Sequence, residues 1–206
     1  MDGRGEVEAD AVCVAAPAGP AGPAARLVRE AAPRLAASLE GIPCGSVGTL
    51  NLVFREEQAG RPLNGMGFVV PAVEGRALLA CSFSSMKFEG RAPEGKILLR
   101  AFFTGTESEG PFSLPEEEVK ALLTDELRAV LGIRGEPEVA RLARYPRSMP
   151  QFRLGHLERV RAIEEETEKL PGLAVAGCAY RGVGIPDCAE SANDAAARLA
   201  DYLRRS

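Results

Sequence analysis

The sequence is poor in the residues that build metal centres. It has one histidine, His156, and five cysteines, Cys13, Cys44, Cys81, Cys178 and Cys188, none of them in C-x-x-C spacing. Structural zinc draws on four Cys or His ligands in closely spaced pairs, so no metal site is expected. An odd set of cysteines within apolar runs reads as small buried hydrophobes and not as a disulfide framework. No Gly-x-Gly-x-x-Gly segment occurs, so the glycine pattern of a pyrophosphate-binding βαβ unit is missing. No apolar run approaches the roughly 20 residues that cross a bilayer. Acids number 29 and bases 25, interspersed, which excludes the basic stripe of a nucleic-acid-binding surface. The opening residues lack a signal-peptide layout, and the acids between Asp2 and Asp10 oppose a mitochondrial transit peptide. The default location is the cytoplasm, with nothing that indicates peripheral membrane contact.

What is present supports a core. Hydrophobic residues make up 46% of the 206, enough for one domain or two small ones. Residues 10–16 form a short apolar run ended by Pro17, the mark of a buried parallel strand. A helix is expected over 24–39, with Leu27, Val28, Ala31, Leu35 and Leu39 on one side and a kink at Pro33. Residues 47–54, 68–70, 77–86 and 96–103 read as strands, the last two joined through a hairpin loop at 89–95. The plainest helix is 115–131, where Val119, Leu122, Leu123, Leu127, Val130 and Leu131 form a stripe. Three glutamates at 116–118 suit its dipole and Gly132 ends it. A strand over 138–145 and a charged helix over 155–170, burying Leu157, Val160 and Ile163, complete this stretch.

The most informative segment is Gly172-Leu-Ala-Val-Ala-Gly177-Cys-Ala-Tyr-Arg-Gly182-Val-Gly184-Ile-Pro-Asp187-Cys-Ala-Glu-Ser191, which runs into an Ala-rich helix. It reads as a short buried strand, a glycine turn, and a helix whose N-terminus faces that turn. Free N–H groups and partial positive charge at a helix start can hold an anion or an electron-rich carbonyl. Glycines at 177, 182 and 184 let a flat ligand come close to the backbone. Asp187 and Glu190 have capping-box spacing, with Asp187 as the expected N-cap. Spacing alone fits an ordinary strand–turn–helix connection equally well.

This segment resembles the C-terminal flavin-contacting motif of the FAD-dependent porphyrinogen oxidases, the protoporphyrinogen and coproporphyrinogen oxidases of the flavin amine-oxidase superfamily. Three further stretches, in the same order, are similar to that family: Gly65-Met-Gly-Phe-Val-Val-Pro71 with Ala80-Cys-Ser-Phe-Ser-Ser-Met-Lys-Phe88, then Gly90-Arg-Ala-Pro-Glu-Gly-Lys-Ile-Leu-Leu-Arg100, then Met149-Pro-Gln-Phe-Arg-Leu-Gly-His156. The resemblance implies a fold of mixed α/β and α+β class. Residues 1–18 and 151–206 would be the C-terminal parts of a discontinuous, Rossmann-like FAD-binding domain, and 19–150 a partial sheet-and-helix substrate region. It also implies FAD as cofactor and a porphyrinogen as substrate, oxidised by oxygen to the porphyrin in three flavin cycles that release peroxide.

At the matching positions the resemblance assigns the backbone of Val183, Gly184 and Ile185, with Gly177, to the flavin ring. Tyr145 stands where the family commonly carries a tryptophan near the flavin. Lys87 and Arg91 are candidates for the substrate propionates through charge-assisted hydrogen bonds. Cys178 replaces the family's usual Asn, and Ser191-Ala192 its Ser-Gly. No catalytic residue is assigned: His156 belongs to the family's Gly-His element in a structural role, and Ser84-Ser85 has no base beside it. The family's glycine-rich N-terminal half has no counterpart here. The chain is therefore expected to hold FAD poorly alone and to need that N-terminal half, either as a separate FAD-binding chain or upstream in the same gene. The alternatives are a non-catalytic remnant that binds a partner or a tetrapyrrole, and a fragment of another flavin amine oxidase or desaturase.

Overall fold

Proline and glycine set the breaks between elements. In the computed structural model, which describes residues 5, 7–106 and 108–205, these are β1 (Val12–Val14), α1 (Pro23–Val28), α2 (Pro33–Glu40), β2 (Cys44–Arg55), β3 (Gly67–Val69), β4 (Leu78–Phe83), α3 (Ser84–Lys87), β5 (Lys96–Thr104), α4 (Glu116–Leu131), β6 (Val139–Pro150), α5 (His156–Glu168), β7 (Leu173–Val175) and α6 (Ile185–Arg205). They sort into two compact units, Met1–Cys44 with Arg147–Ser206, and Gly45–Pro146. Residues 1–4, 6, 107 and 206 lie outside the described residues, including Asp2 and Glu6 of the acidic opening and the ends of the 1–18 and 151–206 segments.

The unit formed by the chain ends carries a two-stranded parallel sheet, with Val12 opposite Leu173, Cys13 opposite Ala174 and Val14 opposite Val175. Its core joins Val14, Ala24, Ala25, Leu35, Leu39 and Ile42 to Val160 and Ile163 of α5. The helix expected over 24–39 is two helices. Ala32 sits at φ −144° and ψ 71°, and Pro33 takes the first helical position of α2. A residue that precedes proline is pushed out of the α region, so Pro33 starts a new helix instead of bending an old one. Both helices pack in this unit, whose first segment ends at Cys44. Helix α2 packs against both α1 and α5, a contact that local pattern does not announce.

The other unit is a five-stranded sheet in the order β3-β4-β5-β2-β6, with α4 packed on one face. Alternation in β2 and β5 sends Leu50, Leu52, Phe54, Ile97, Leu99, Ala101 and Phe103 to that face. There they meet Val119, Leu123, Leu127 and Leu131 of α4. Gly132, at φ 69°, closes α4 in the left-handed conformation and its N–H donates to the Arg128 carbonyl. The strand expected over 77–86 stops at Phe83 and turns into α3, where Ser85 Oγ accepts the Leu98 N–H at 3.0 Å. A serine hydroxyl thus replaces a ladder partner at that point.

Glu126 on α4 fixes the start of β4. Its two carboxylate oxygens accept the N–H groups of Ala77 and Leu78, each at 2.9 Å. Removing the carboxylate strands two backbone donors, so Glu126→Ala is expected to cost about 1–3 kcal/mol in urea denaturation. Glu126→Gln keeps one acceptor oxygen and should recover part of that loss. Equal stability of all three chains would show that water satisfies these donors.

Candidate functional site

The C-terminal strand–turn–helix is held by a few side-chain contacts. The ladder continues one residue past β7, where the Ala176 N–H donates to the Val14 carbonyl at 3.2 Å. Gly177 follows at φ 139°, a conformation that L side chains rarely adopt, and no atom lies within 4 Å of where a Cβ would stand. Its N–H donates to Ser191 Oγ at 3.0 Å, which ties the strand end to the second turn of α6.

His156 anchors the turn from the other side. It is buried, its ring stacks on Phe152 at 4.1 Å, and Nε2 lies 2.7 Å from the Tyr180 carbonyl oxygen. A carbonyl only accepts, so this contact puts the proton on Nε2. Nδ1 is buried with no hydrogen-bond partner. The Tyr180 hydroxyl is likewise buried and unpartnered, and burial, with Cys178 and Cys13 adding, pushes its pKa up to about 12. A cavity of about 260 Å³ opens beside the turn between α5 and α6, lined by Thr167, Tyr180, Arg181, Ser191, Asp194 and Arg198 among others.

The helix start differs from the expected capping box. Asp187 is the third residue of α6, and its Oδ2 accepts the Gly184 N–H at 2.9 Å. The Cys188 N–H donates to the Gly184 carbonyl at 3.0 Å as the first helical bond. Gly184 is therefore the N-cap, and Asp187 is the reaching-back member at N3 where Glu190 was expected to act. The Pro186 ring removes one further free N–H, leaving those of Ile185 and Asp187 in the first turn. Because an acid already occupies that turn, this helix end suits a neutral carbonyl edge better than a second full anion. Val183 and Ile185 are 51% and 86% exposed and form an apolar lip beside the turn.

Gly177, Val183, Gly184 and Ile185 thus come together on one turn. Tyr145 stands half-exposed on β6, in the sheet unit. Lys87 and Arg91 come together around the half-exposed Phe88, with Lys87 Nζ and Arg91 Cζ each 5.3 Å from its ring centroid. Two contributors were not singled out from the sequence: Ser191 as a hydrogen-bond partner and Phe152 as a stacking partner. Helical spacing from Asp187 would have put Ser191 on the same side, one turn on; nothing local marks Phe152. Among the described residues no group of three or more His, Cys, Asp or Glu could hold a metal ion, and no helix is long and apolar enough to cross a membrane.

A family model described as flavin containing amine oxidoreductase matches residues 1–200. The coproporphyrinogen III oxidase of Propionibacterium freudenreichii subsp. freudenreichii is 34% identical over 202 residues, 97% of this chain and 37% of that protein. The coproporphyrinogen III oxidase of Bacillus subtilis (strain 168) is 32% identical over 204 residues, 98% of this chain and 42% of that protein. The crystal structure of an Exiguobacterium sp. 255-15 protein assigned as a protoporphyrinogen oxidase superposes with a TM-score of 0.78 at 28% identity, covering 98% of this chain and 43% of its own. The chain thus spans about two fifths of the length of these curated relatives.

Proposed function

We propose, from the premise that this chain belongs to the flavin containing amine oxidoreductase family, that it forms the C-terminal part of a porphyrinogen oxidase of heme biosynthesis. The observation that carries this reading is the match to two coproporphyrinogen III oxidases along 97% and 98% of the chain. The unit formed by the chain ends would be a piece of the FAD-binding domain, and Gly45–Pro146 the substrate-side region.

The residues present fit the ring end of a flavin. Gly177 keeps open space at its missing side chain, and the exposed Val183 and Ile185 form an apolar lip on either side of Gly184. They do not supply a pyrophosphate cradle, since the sequence has no Gly-x-Gly-x-x-Gly segment. Bound FAD would supply hydride acceptance, with oxygen as the final acceptor. The chain would orient the ring edge through the N–H groups of Ile185 and Asp187 and exclude water with Val183 and Ile185. Lys87 and Arg91 would draw the anionic rim of a porphyrinogen toward the Phe88 loop.

The test is flavin retention. The chain is purified alone and after co-expression with a polypeptide that carries a Gly-x-Gly-x-x-Gly FAD-binding half, and each sample is examined for visible flavin absorbance and porphyrinogen oxidation. Flavin and activity are expected only in the co-purified complex. Flavin on the lone chain would overturn the requirement for a second half. Soluble protein without flavin in both samples would favour a remnant that binds a tetrapyrrole or a partner without catalysis.

A further inference from the structure

One face of the sheet is covered by α4, and strand alternation decides what the other presents. In β5 the residues opposite in sense to Leu99 and Ala101 are Leu98, Arg100 and Phe102; in β2 they are Thr49, Asn51 and Val53. Thr49, Asn51, Val53, Leu98 and Phe102 are half-buried, whereas Arg100 is exposed. Arg100 lies opposite Asn51 on one neighbouring strand and Ser82 on the other, so it stands in the middle of β4-β5-β2. A guanidinium thus rises from a bed of largely apolar side chains.

Its hydrogen bonding is unusual for a structural arginine. Arg100 Nε donates to the neutral Asn51 Oδ1 at 2.8 Å. The other cations at this end of the ladder are neutralised: Lys96 pairs with Glu138, and Arg55 with Glu57 at 2.8 Å and Glu138 at 3.8 Å. Among the described residues no carboxylate pairs with Arg100. Using Nε for Asn51 orients the planar group and leaves both Nη groups free to form a fork, the geometry that matches a carboxylate. Lys87, at the end of α3, and Arg91, on the exposed segment after it, are held differently, with their charges against the Phe88 ring.

We propose that Arg100, oriented by Asn51, is the carboxylate anchor of this chain's tetrapyrrole-binding face. The inference rests on the porphyrinogen reading above and deepens it. A flat, apolar macrocycle with carboxylates on its rim complements a half-buried aliphatic and aromatic bed from which a pre-oriented guanidinium with no paired carboxylate among the described residues rises. Arg100 binds one rim carboxylate bidentately and sets the in-plane rotation of the macrocycle, while Leu98, Phe102 and Val53 take its apolar face. Lys87 and Arg91 add attraction but not registry.

The test titrates the full chain, alone and with the Gly-x-Gly-x-x-Gly FAD-binding polypeptide, with coproporphyrin III and with its tetramethyl ester, following porphyrin fluorescence. The ester keeps the macrocycle and removes the charges. Arg100→Met is expected to weaken binding of the free acid about tenfold or more, the scale of a charge-assisted pair, and to leave ester binding unchanged. Arg100→Lys should fall between the two. Asn51→Ala should weaken acid binding several-fold through loss of orientation, and a Lys87→Met, Arg91→Met chain should lose less than Arg100→Met. Wild-type chain that prefers the acid while Arg100→Met binds it equally well would overturn the anchor and leave the porphyrin reading standing. Equal losses for acid and ester would show that Arg100 acts by packing, which also overturns it. Binding of neither compound by any sample would remove the porphyrinogen reading itself, and the anchor with it.

Discussion

Phe103→Ala is expected to remove about 3–5 kcal/mol from the sheet unit, the cost of emptying an aromatic-sized volume in a close-packed core. Phe103 is fully buried, faces α4, and meets the Phe112 ring at a centroid distance of 6.1 Å. Directly across the ladder stands Gly48, and a Cβ built there would lie 2.0 Å from Phe103 Cζ. The ring therefore folds over a glycine that leaves it room. Gly48→Ala alone should destabilise by about 1–3 kcal/mol through overpacking. In the Phe103→Ala background the same methyl enters the vacated space, so the double mutant should be more stable than the sum of the two losses. Guanidinium denaturation of the four chains gives the coupling. Additive losses would show that the ring does not seat on Gly48.

The second large effect is expected at His156. His156→Ala removes the Nε2 contact at 2.7 Å to the Tyr180 carbonyl and the 4.1 Å stack on Phe152. Leaving a buried carbonyl unsatisfied costs about 1–3 kcal/mol, and the lost ring burial brings the total to about 2–4 kcal/mol. The loss should be local first: hydrogen exchange across 178–184 should speed up before the rest of the unit opens. His156→Gln can still present a donor to that carbonyl and should restore part of the protection. If His156→Ala left exchange and stability unchanged and abolished only porphyrinogen oxidation by the two-part complex, the imidazole would be an acid–base group and not a brace.

The repeating elements were legible because their cause is local. Helix α4 follows from apolar spacing, a proline before it and a glycine after it. β2 and β5 follow from alternation against one covered face. The break at Pro33 was visible as a proline but not as two helices, because the separation depends on Ala32 leaving the α region and on α2 finding α5. At the turn, the glycines were legible and the cap was not. Asp187 and Glu190 have the right interval for a box, yet Pro186 and the chain path bring Asp187 back onto Gly184. Capping depends on where the chain enters the helix, and a one-turn shift in that entry changes which acid does it.

By itself the sequence determined α4 and the long strands β2 and β5, the absence of a metal-ligand pattern and of a glycine-rich dinucleotide cradle, and the family resemblance carried by four ordered stretches. Those properties depend on residue type and short spacing, which each segment carries alone. Tertiary structure alone decided that residues 19–44 join the chain ends, that His156 braces the Tyr180 turn, and that Arg100 meets Asn51 with no acid beside it. Each of these joins residues tens to more than a hundred positions apart. Such a contact arises only when burial and strand register bring distant segments together, because no local preference encodes the partner.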